Sequence, residues 1–294
     1  MLRIWAWIAL GLLLLGCNDR QEPYMPVGEA SEVQSYSFGV HPYKNSLAMY
    51  TAFNPILRYL EARIPGLELR LETANSYAHY EEKLYGEHFD FALPNPYQTV
   101  LSLDHHYTVV AKMAPDEVFR GIFVARKDRA LKTPADLKGQ KVSFPAPTAL
   151  AATLMPLWYL HVNGIDIRKE IIPVYVGSQD SSIMNAYAGL SIAAGTWPPP
   201  WELWAKNHPK EAAQMEVVWQ TDPLPNNGVV VHRRISAVLA ESVAQVLSAM
   251  RRDPEGQKLL RSAGFDGFER ATGATYDPVR RFLETYDRTL GLPE

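Results

Sequence analysis

Thr133-Pro134-Ala135-Asp136-Leu137-Lys138-Gly139-Gln140-Lys141-Val142-Ser143-Phe144 is the stretch on which the fold class turns. Thr133 can cap a helix and Pro134 suits its first turn. Asp136 stands at the third position of a capping box, where a carboxylate reaches back to a free N–H. Gly139 stops that short helix, and residues 141–144 read as a strand. A longer helix is expected over residues 148–163, closed by Gly164. A strand at 171–176, a helix at 180–188 and a strand at 190–194 come next. Helix and strand patterns that alternate in this way predict an α/β fold.

The same texture extends outward. Residues 36–41 read as a first strand. The helix after it carries Phe53, Ile56, Leu57, Leu60 and Ile64 on one face. Strands are expected at 68–72, 89–93, 107–113 and 118–125, with a helix over 77–84 stopped by Gly86. Pro94-Asn95-Pro96 breaks the chain after the 89–93 strand. Further on, 217–219 and 228–232 read as strands. Two amphipathic helices close the chain. One places Val243, Val246, Leu247 and Met250 together. The other opens with Asp277-Pro278 and places Val279, Phe282, Leu283 and Tyr286 together. There is no internal repeat and no low-complexity tract.

Of 294 residues, 47% are hydrophobic and 21% charged, an ordinary globular composition. Arg3 precedes an apolar run, residues 4–15, that is too short to span a bilayer comfortably and reads as a cleaved signal. Leu14-Leu15-Gly16-Cys17, which ends in the chain's one cysteine, resembles a bacterial lipobox. That likeness implies a lipoprotein signal peptide over residues 1–16 and lipidation of Cys17. A flexible spacer over residues 17–35 and attachment to a bacterial membrane on the periplasmic side of the envelope follow. An ordinary secretory signal, or an anchor helix, with an incidental cysteine is the alternative. Loss of residues 1–16 removes Arg3 from 29 basic residues, so 28 stand against 32 acidic ones, a net of −4. Nucleic acid is excluded as a partner by that balance. With Cys17 lipidated, no thiol remains for a disulfide, a thiolate metal site or a nucleophile.

Catalytic motifs are missing: there is no G-x-S-x-G, no P-loop and no G-x-G-x-x-G. His105-His106 are adjacent and lack the i, i+4 spacing of a helical zinc pair, so no metal site is expected. Glu81-Glu82 on a helix read as a solvated face. Ser181-Ser182 read as a helix start, with free backbone N–H groups, rather than as nucleophiles. What stands out is a set of polar and aromatic residues at element ends. Pro42-Tyr43, Asn95-Pro96-Tyr97, Pro147-Thr148, Ser178-Gln179-Asp180 and Thr196-Trp197 each follow a strand or precede a helix. In open α/β sheets, ligands bind beyond the carboxyl ends of strands, where helix N-termini present free donors.

Several stretches, in order, resemble the substrate-binding proteins of phosphonate, phosphite and phosphate ABC importers, within the type II periplasmic binding-protein superfamily. They are Phe38-Gly39-Val40-His41-Pro42, Asn54-Pro55-Ile56-Leu57-Arg58-Tyr59-Leu60-Glu61, Ala74-Asn75-Ser76-Tyr77, Gly86-Glu87-His88-Phe89-Asp90-Phe91-Ala92, Ala135-Asp136-Leu137-Lys138-Gly139-Gln140-Lys141-Val142 and Asn163-Gly164-Ile165-Asp166. The resemblance runs from about Tyr36 to Arg251. It implies a two-lobed fold with a ligand cleft between the lobes. Lobe 1 would hold residues 36–117 and 228–294, and lobe 2 residues 118–227. Pro223, Pro225, Asn226, Asn227 and Gly228 would suit a hinge.

Departures from the family pattern fall at the ligand. Only Thr148 remains in Ala146-Pro147-Thr148-Ala149, where relatives are rich in serine and threonine. The family's S-H-D becomes Ser178-Gln179-Asp180, and the acidic residue of its G-x-V-D-A is missing from 189–196. Trp197, Trp201 and Trp204 instead bring aromatic area to the expected cleft rim. The resemblance implies closure of two lobes on a phosphonate-, phosphite- or phosphate-like oxyanion or a small organic anion. Tyr43, Tyr77, Asn95, Tyr97, Thr148, Gln179, Asp180, Thr196 and Trp197 are the expected ligand-binding residues. No cofactor and no catalytic step are implied. An ABC permease is the expected partner of a monomeric binder. A lipoprotein that reports its ligand to a membrane receptor or sensor kinase is the alternative.

Overall fold

The computed structural model describes residues 34–293, so the signal segment and Cys17 lie outside the described residues. The chain begins with β1 (Gln34–Val40), α1 (Ser46–Glu61), β2 (Leu67–Thr73), α2 (Tyr77–Tyr85), β3 (Phe91–Leu93), α3 (Pro96–Ser102) and β4 (Tyr107–Ala114). The middle holds β5 (Ile122–Arg126), β6 (Lys141–Phe144), α4 (Met155–Val162), β7 (Ile172–Tyr175), α5 (Gln179–Tyr187), β8 (Ala193–Thr196), α6 (Pro198–Asn207), α7 (Pro209–Ala212) and β9 (Met215–Gln220). The last part holds β10 (Gly228–His232), α8 (Ala237–Ala249), α9 (Pro254–Ala263), β11 (Gly267–Arg270) and α10 (Asp277–Leu290).

These strands form two sheets. One has the order β11-β4-β10-β3-β1-β2, the other β7-β6-β8-β5-β9. In the first, β1 lies parallel to β2 and β3; in the second, β6 lies parallel to β7 and β8. The remaining pairings are antiparallel. The chain passes from one sheet to the other between β4 and β5 and returns between β9 and β10. Asn226 ties the two crossings together: its N–H donates to Asp116 and its amide nitrogen to the Pro115 carbonyl.

Helices pack where the apolar spacing requires. Phe53, Ile56, Leu57 and Leu60 of α1 are buried, and α1 packs on β2, α8 and α9. A smaller cluster of Val124, Ile183, Ala186, Ala194, Trp204 and Met215 lies under α5 in the second sheet. α10 touches both halves. It packs on α3, while its Phe282 and Tyr286 rings meet Trp158 of α4 at 6.2 and 6.3 Å. No helix among the described residues is long and apolar enough to cross a membrane.

Several elements depart from the sequence reading. Gln34 and Ser35 pair with Leu67 and Glu68, so β1 starts inside the expected spacer. The expected strand over 118–125 begins only at Ile122, after a 3-10 turn at Asp116–Val118. The expected helix over 148–163 opens as a π-turn, Leu150–Leu154, before α4. Pro156 has no N–H with which to close the α-helical bond to Ala152, so a regular turn is unavailable there. β8 starts at Ala193 because the Leu190 and Ser191 amides still close α5, both on the Asn185 carbonyl. Prolines start helices in two places, at one of which, Pro94-Asn95-Pro96, the sequence reads as a break. Pro96 is the first residue of α3 behind the Asn95 capping box, and Pro198 and Pro199 occupy the first turn of α6, which needs no N–H.

Candidate functional site

The carboxyl ends of the parallel strands in both sheets converge on one small cavity with about 10 Å³ of free space. His41 reaches it from the end of β1 and Asn95 from the end of β3. Ala149 to Ala152 follow β6, Gln179 follows β7, and Trp197 follows β8. Tyr77, Phe119 and Asn227 complete the wall. Larger grooves exist, including one of about 1160 Å³ between α1 and α6, but they lack this convergence of strand ends.

The π-turn after β6 is the main polar feature. Leu150, Ala151 and Ala152 line the cavity, and first-turn amides of a helix have no partner within it. Two glycines let this turn lie close to the sheet. A Cβ on Gly121 would stand 2.6 Å from the Ala151 carbonyl oxygen, and one on Gly195 would stand 2.4 Å from the Ala152 carbonyl oxygen. With those carbonyls pressed against β5 and β8, the turn holds its amides for a ligand that accepts hydrogen bonds.

Tyr77, Asn95, Gln179 and Trp197 line the cavity. The Tyr77 hydroxyl is raised far above the ordinary phenol range by burial, against which the Gln179 amide acts. Gln179 itself accepts from the Thr196 hydroxyl at 2.8 Å through Oε1, which leaves its nitrogen as the donor on the Tyr77 side. Asn95 is already engaged at both ends of its amide. Its oxygen caps α3 by accepting from Gln98 N–H, and its nitrogen donates to the Thr148 carbonyl at 3.2 Å. Trp197 is buried and meets Phe119 at 5.5 Å and Tyr43 at 5.9 Å.

The other five expected residues stand apart from the lining. Tyr43 is buried behind Trp197 and His41. The Thr148 hydroxyl donates to Glu81 and the Thr196 hydroxyl to Gln179. Tyr97 is buried on α3, its hydroxyl pushed up to about 12 by burial. Asp180 is exposed at the start of α5, and its carboxyl is held above the usual range by the burial of its surroundings, opposed by His208 and Lys44. Of the three neighbouring tryptophans, Trp201 and Trp204 stack on each other at 5.7 Å against the core of the second sheet.

Three residues of the wall went unseen in the sequence. His41 sits one place before the Pro42-Tyr43 cluster; its position at a strand end next to proline was the signal. Phe119 was assigned to a strand and Asn227 to the hinge. One expectation is corrected. Glu81 is not on a solvated face: it is half-buried, accepts from Gln98 and Thr148, and burial raises its carboxyl. Glu82 is exposed. Glu87, His106 and His232 bring their ligand-type atoms within 4.8 Å of one another. Arg234 N–H donates to His232 Nδ1 at 3.1 Å, which puts the neutral ring's proton on Nε2, facing Glu87 at 3.0 Å. That tautomer hydrogen-bonds to Glu87 and offers no lone pair to an ion there. Ser182 donates to the Ser143 and Gly195 carbonyls, and Ser181 meets Ser178.

Residues 38–276 match the family model described as ABC transporter, phosphonate, periplasmic substrate-binding protein. A probable ABC transporter phosphite binding protein, PhnD1 of Prochlorococcus marinus (strain MIT 9301), is 28% identical over 121 residues. That match covers 38% of this chain and 41% of the relative's length. Among solved structures, a binding protein component of an ABC phosphonate transporter from Pseudomonas aeruginosa superposes with TM-score 0.78 at 17% identity, covering 87% of each chain. PhnD1 from Prochlorococcus marinus in complex with methylphosphonate also gives 0.78, at 18% identity over 87% of this chain and 99% of that one. At these identities the likeness shows the fold, which is that of two-lobed periplasmic binding proteins.

Proposed function

This chain belongs to the family of periplasmic phosphonate substrate-binding proteins of ABC transporters, and from that membership we propose that it captures a small phosphorus oxyanion between its lobes and delivers it to an ABC permease. The cavity between the two sheets carries the reading. Its polar wall is made chiefly of main-chain amides at Leu150, Ala151 and Ala152, joined by the Tyr77 hydroxyl and the Gln179 amide. A sequence reading that counts serines and threonines misses donors of this kind, because alanine presents its N–H as well as serine does. In this arrangement the cavity has about 10 Å³ of free space, room for about one water, so the lobes must part to admit a ligand. A structural neighbour holds methylphosphonate, a ligand of the chemistry proposed here. No step of bond making is part of the reading; the work is closure and release.

The same proposal includes export and a lipid tether at Cys17, supported by the apolar run and the lipobox-like Leu14-Leu15-Gly16-Cys17. A tether would raise the binder's effective concentration at its membrane partner. Cys17→Ser is expected to move the protein from the membrane fraction to the soluble fraction; equal fractionation of the two forms would refute the anchor. For the ligand, the melting temperature of the purified full chain is measured with methylphosphonate, phosphite, phosphate, methanesulfonate and small carboxylates. A ligand at 1,000 times its Kd stabilises by about 4 kcal/mol. Stabilisation by a phosphorus oxyanion is expected. A rise with carboxylates alone would overturn the reading.

A further inference from the structure

We propose that His41 Nε2 makes this cavity selective for an oxyanion that still carries a hydroxyl, such as a monoprotonated phosphonate or phosphite, over a fully ionised one. This rests on the phosphorus-oxyanion reading above and names the protonation state that the site takes. His41 is 2% exposed and lines the cavity. Its Nδ1 lies 2.9 Å from the Leu93 carbonyl oxygen, which only accepts, so Nδ1 carries the proton. Burial holds the ring's pKa down to about 4, against a weaker opposing pull from the Leu93 carbonyl, so the ring is neutral in any physiological medium. Nε2 is then a bare lone pair, and among the described residues nothing donates to it.

Asn227 gives a second, independent sign of the same demand. It lines the same cavity, and its buried Oδ1 has no hydrogen-bond partner among the described residues. Its amide nitrogen points to the Met113 sulfur at 3.4 Å, and because sulfur accepts, that orientation leaves the oxygen unpaired. The wall thus offers donors from the π-turn, Tyr77 and Gln179, and two acceptors from His41 and Asn227. A fully ionised tetrahedral anion has oxygens that only accept. A lone pair set against such an oxygen repels it and stays unpaired, which is how a site rejects an isostere. A hydroxyl on the ligand answers both. An ammonium would also donate, but no carboxylate lines the cavity to balance its charge. The titratable groups facing His41 are the phenols of Tyr43, Tyr77 and Tyr80, at 5.1, 6.1 and 6.3 Å between rings. All three are kept neutral by burial. The nearest carboxylate on the same elements, Glu81, turns to Gln98 and Thr148.

Calorimetric titration of the full chain tests this, with methylphosphonate and methanesulfonate as probes of the same shape. Between about pH 6 and about pH 9, Kd for methylphosphonate is expected to weaken about tenfold per pH unit above the ligand's second ionisation, in step with its monoanion fraction. Methanesulfonate, which has no hydroxyl at any of these pH values, is expected to bind about a hundredfold more weakly at neutral pH. His41→Phe keeps a ring and removes the acceptor, so the pH slope flattens and the gap between the two ligands narrows to a few-fold. His41→Gln restores an acceptor oxygen and with it the gap. If wild-type methylphosphonate affinity is flat or rises with pH, the inference is wrong while the phosphorus-oxyanion reading stands. If methanesulfonate alone binds, the reading beneath it falls as well.

Discussion

Thr148→Val removes one hydroxyl at the point where the two halves of the molecule meet. Thr148 follows β6 of the five-stranded sheet, and its Oγ1 donates to Glu81 Oε1, on α2 over the six-stranded sheet, at 2.5 Å. Valine keeps the shape and loses the donor. A hydrogen bond to a charged group is worth about 1.5–3 kcal/mol. Glu81 keeps its bond from Gln98 at 2.8 Å and is only half-buried, so the lower end applies, about 1–2 kcal/mol. That is roughly a 5- to 30-fold change in an equilibrium. The contact joins the two lobes, so it exists when they are closed. Its loss should therefore appear in ligand affinity more than in the unfolding of either half. Calorimetric titration with methylphosphonate gives the first quantity and urea unfolding without ligand gives the second. A Kd within twofold of wild type, or a loss of unfolding stability with Kd unchanged, would refute the idea that this bond fastens the closed state.

Acid stability should carry the mark of His41. Its pKa is lowered from 6.5 to about 4 by burial, so the unfolded chain takes up the proton first as pH falls. Stability is then full above about pH 6.5 and declines by about 3 kcal/mol on the way to about pH 4. In His41→Phe the urea midpoint should lose that part of its pH slope; an unchanged slope would contradict the assignment. Trp197→Ala empties a buried site packed on Phe119 and Tyr43, and is expected to cost about 3 kcal/mol by calorimetric melting. It should also weaken methylphosphonate binding at least about tenfold; an unchanged Kd in the folded variant would leave Trp197 a packing role alone. Gly195→Ala would force a Cβ to 2.4 Å from the Ala152 carbonyl and the Phe144 ring. A loss of about 1–3 kcal/mol is expected, together with weaker binding as the π-turn moves; wild-type stability would show that the close approach is not needed.

The α/β class, and strand ends that gather polar and aromatic residues, were readable because both rest on local signals. Thr133-Pro134-Ala135-Asp136 starts a 3-10 helix with its capping box in place, and Leu137 of that turn is buried. The apolar face of α1 is buried as its spacing required. What went unread depends on contacts distant in sequence. His41 and Asn227 are separated by most of the chain and meet only when the end of β1 and the second crossing reach the same cavity. Glu81 reads as one of two surface carboxylates until Gln98 and Thr148 are folded against it. The amides of Leu150 to Ala152 carry no residue-type signal, since a main-chain donor looks the same in every sequence. The π-turn that presents them comes from Pro156, Gly121 and Gly195 acting together. Helices α3 and α6 were missed for a local reason: proline both breaks a helix and begins one, and only the neighbouring cap tells the two apart.

A crystal structure of the full chain grown with methylphosphonate tests the central claim most directly. The account predicts the phosphoryl group in the cavity between the sheets, with its oxygens within hydrogen-bond reach of the amides of Leu150, Ala151 and Ala152 and of Tyr77. Methylphosphonate bound in an open surface groove, with that cavity unfilled at saturating ligand, would contradict it.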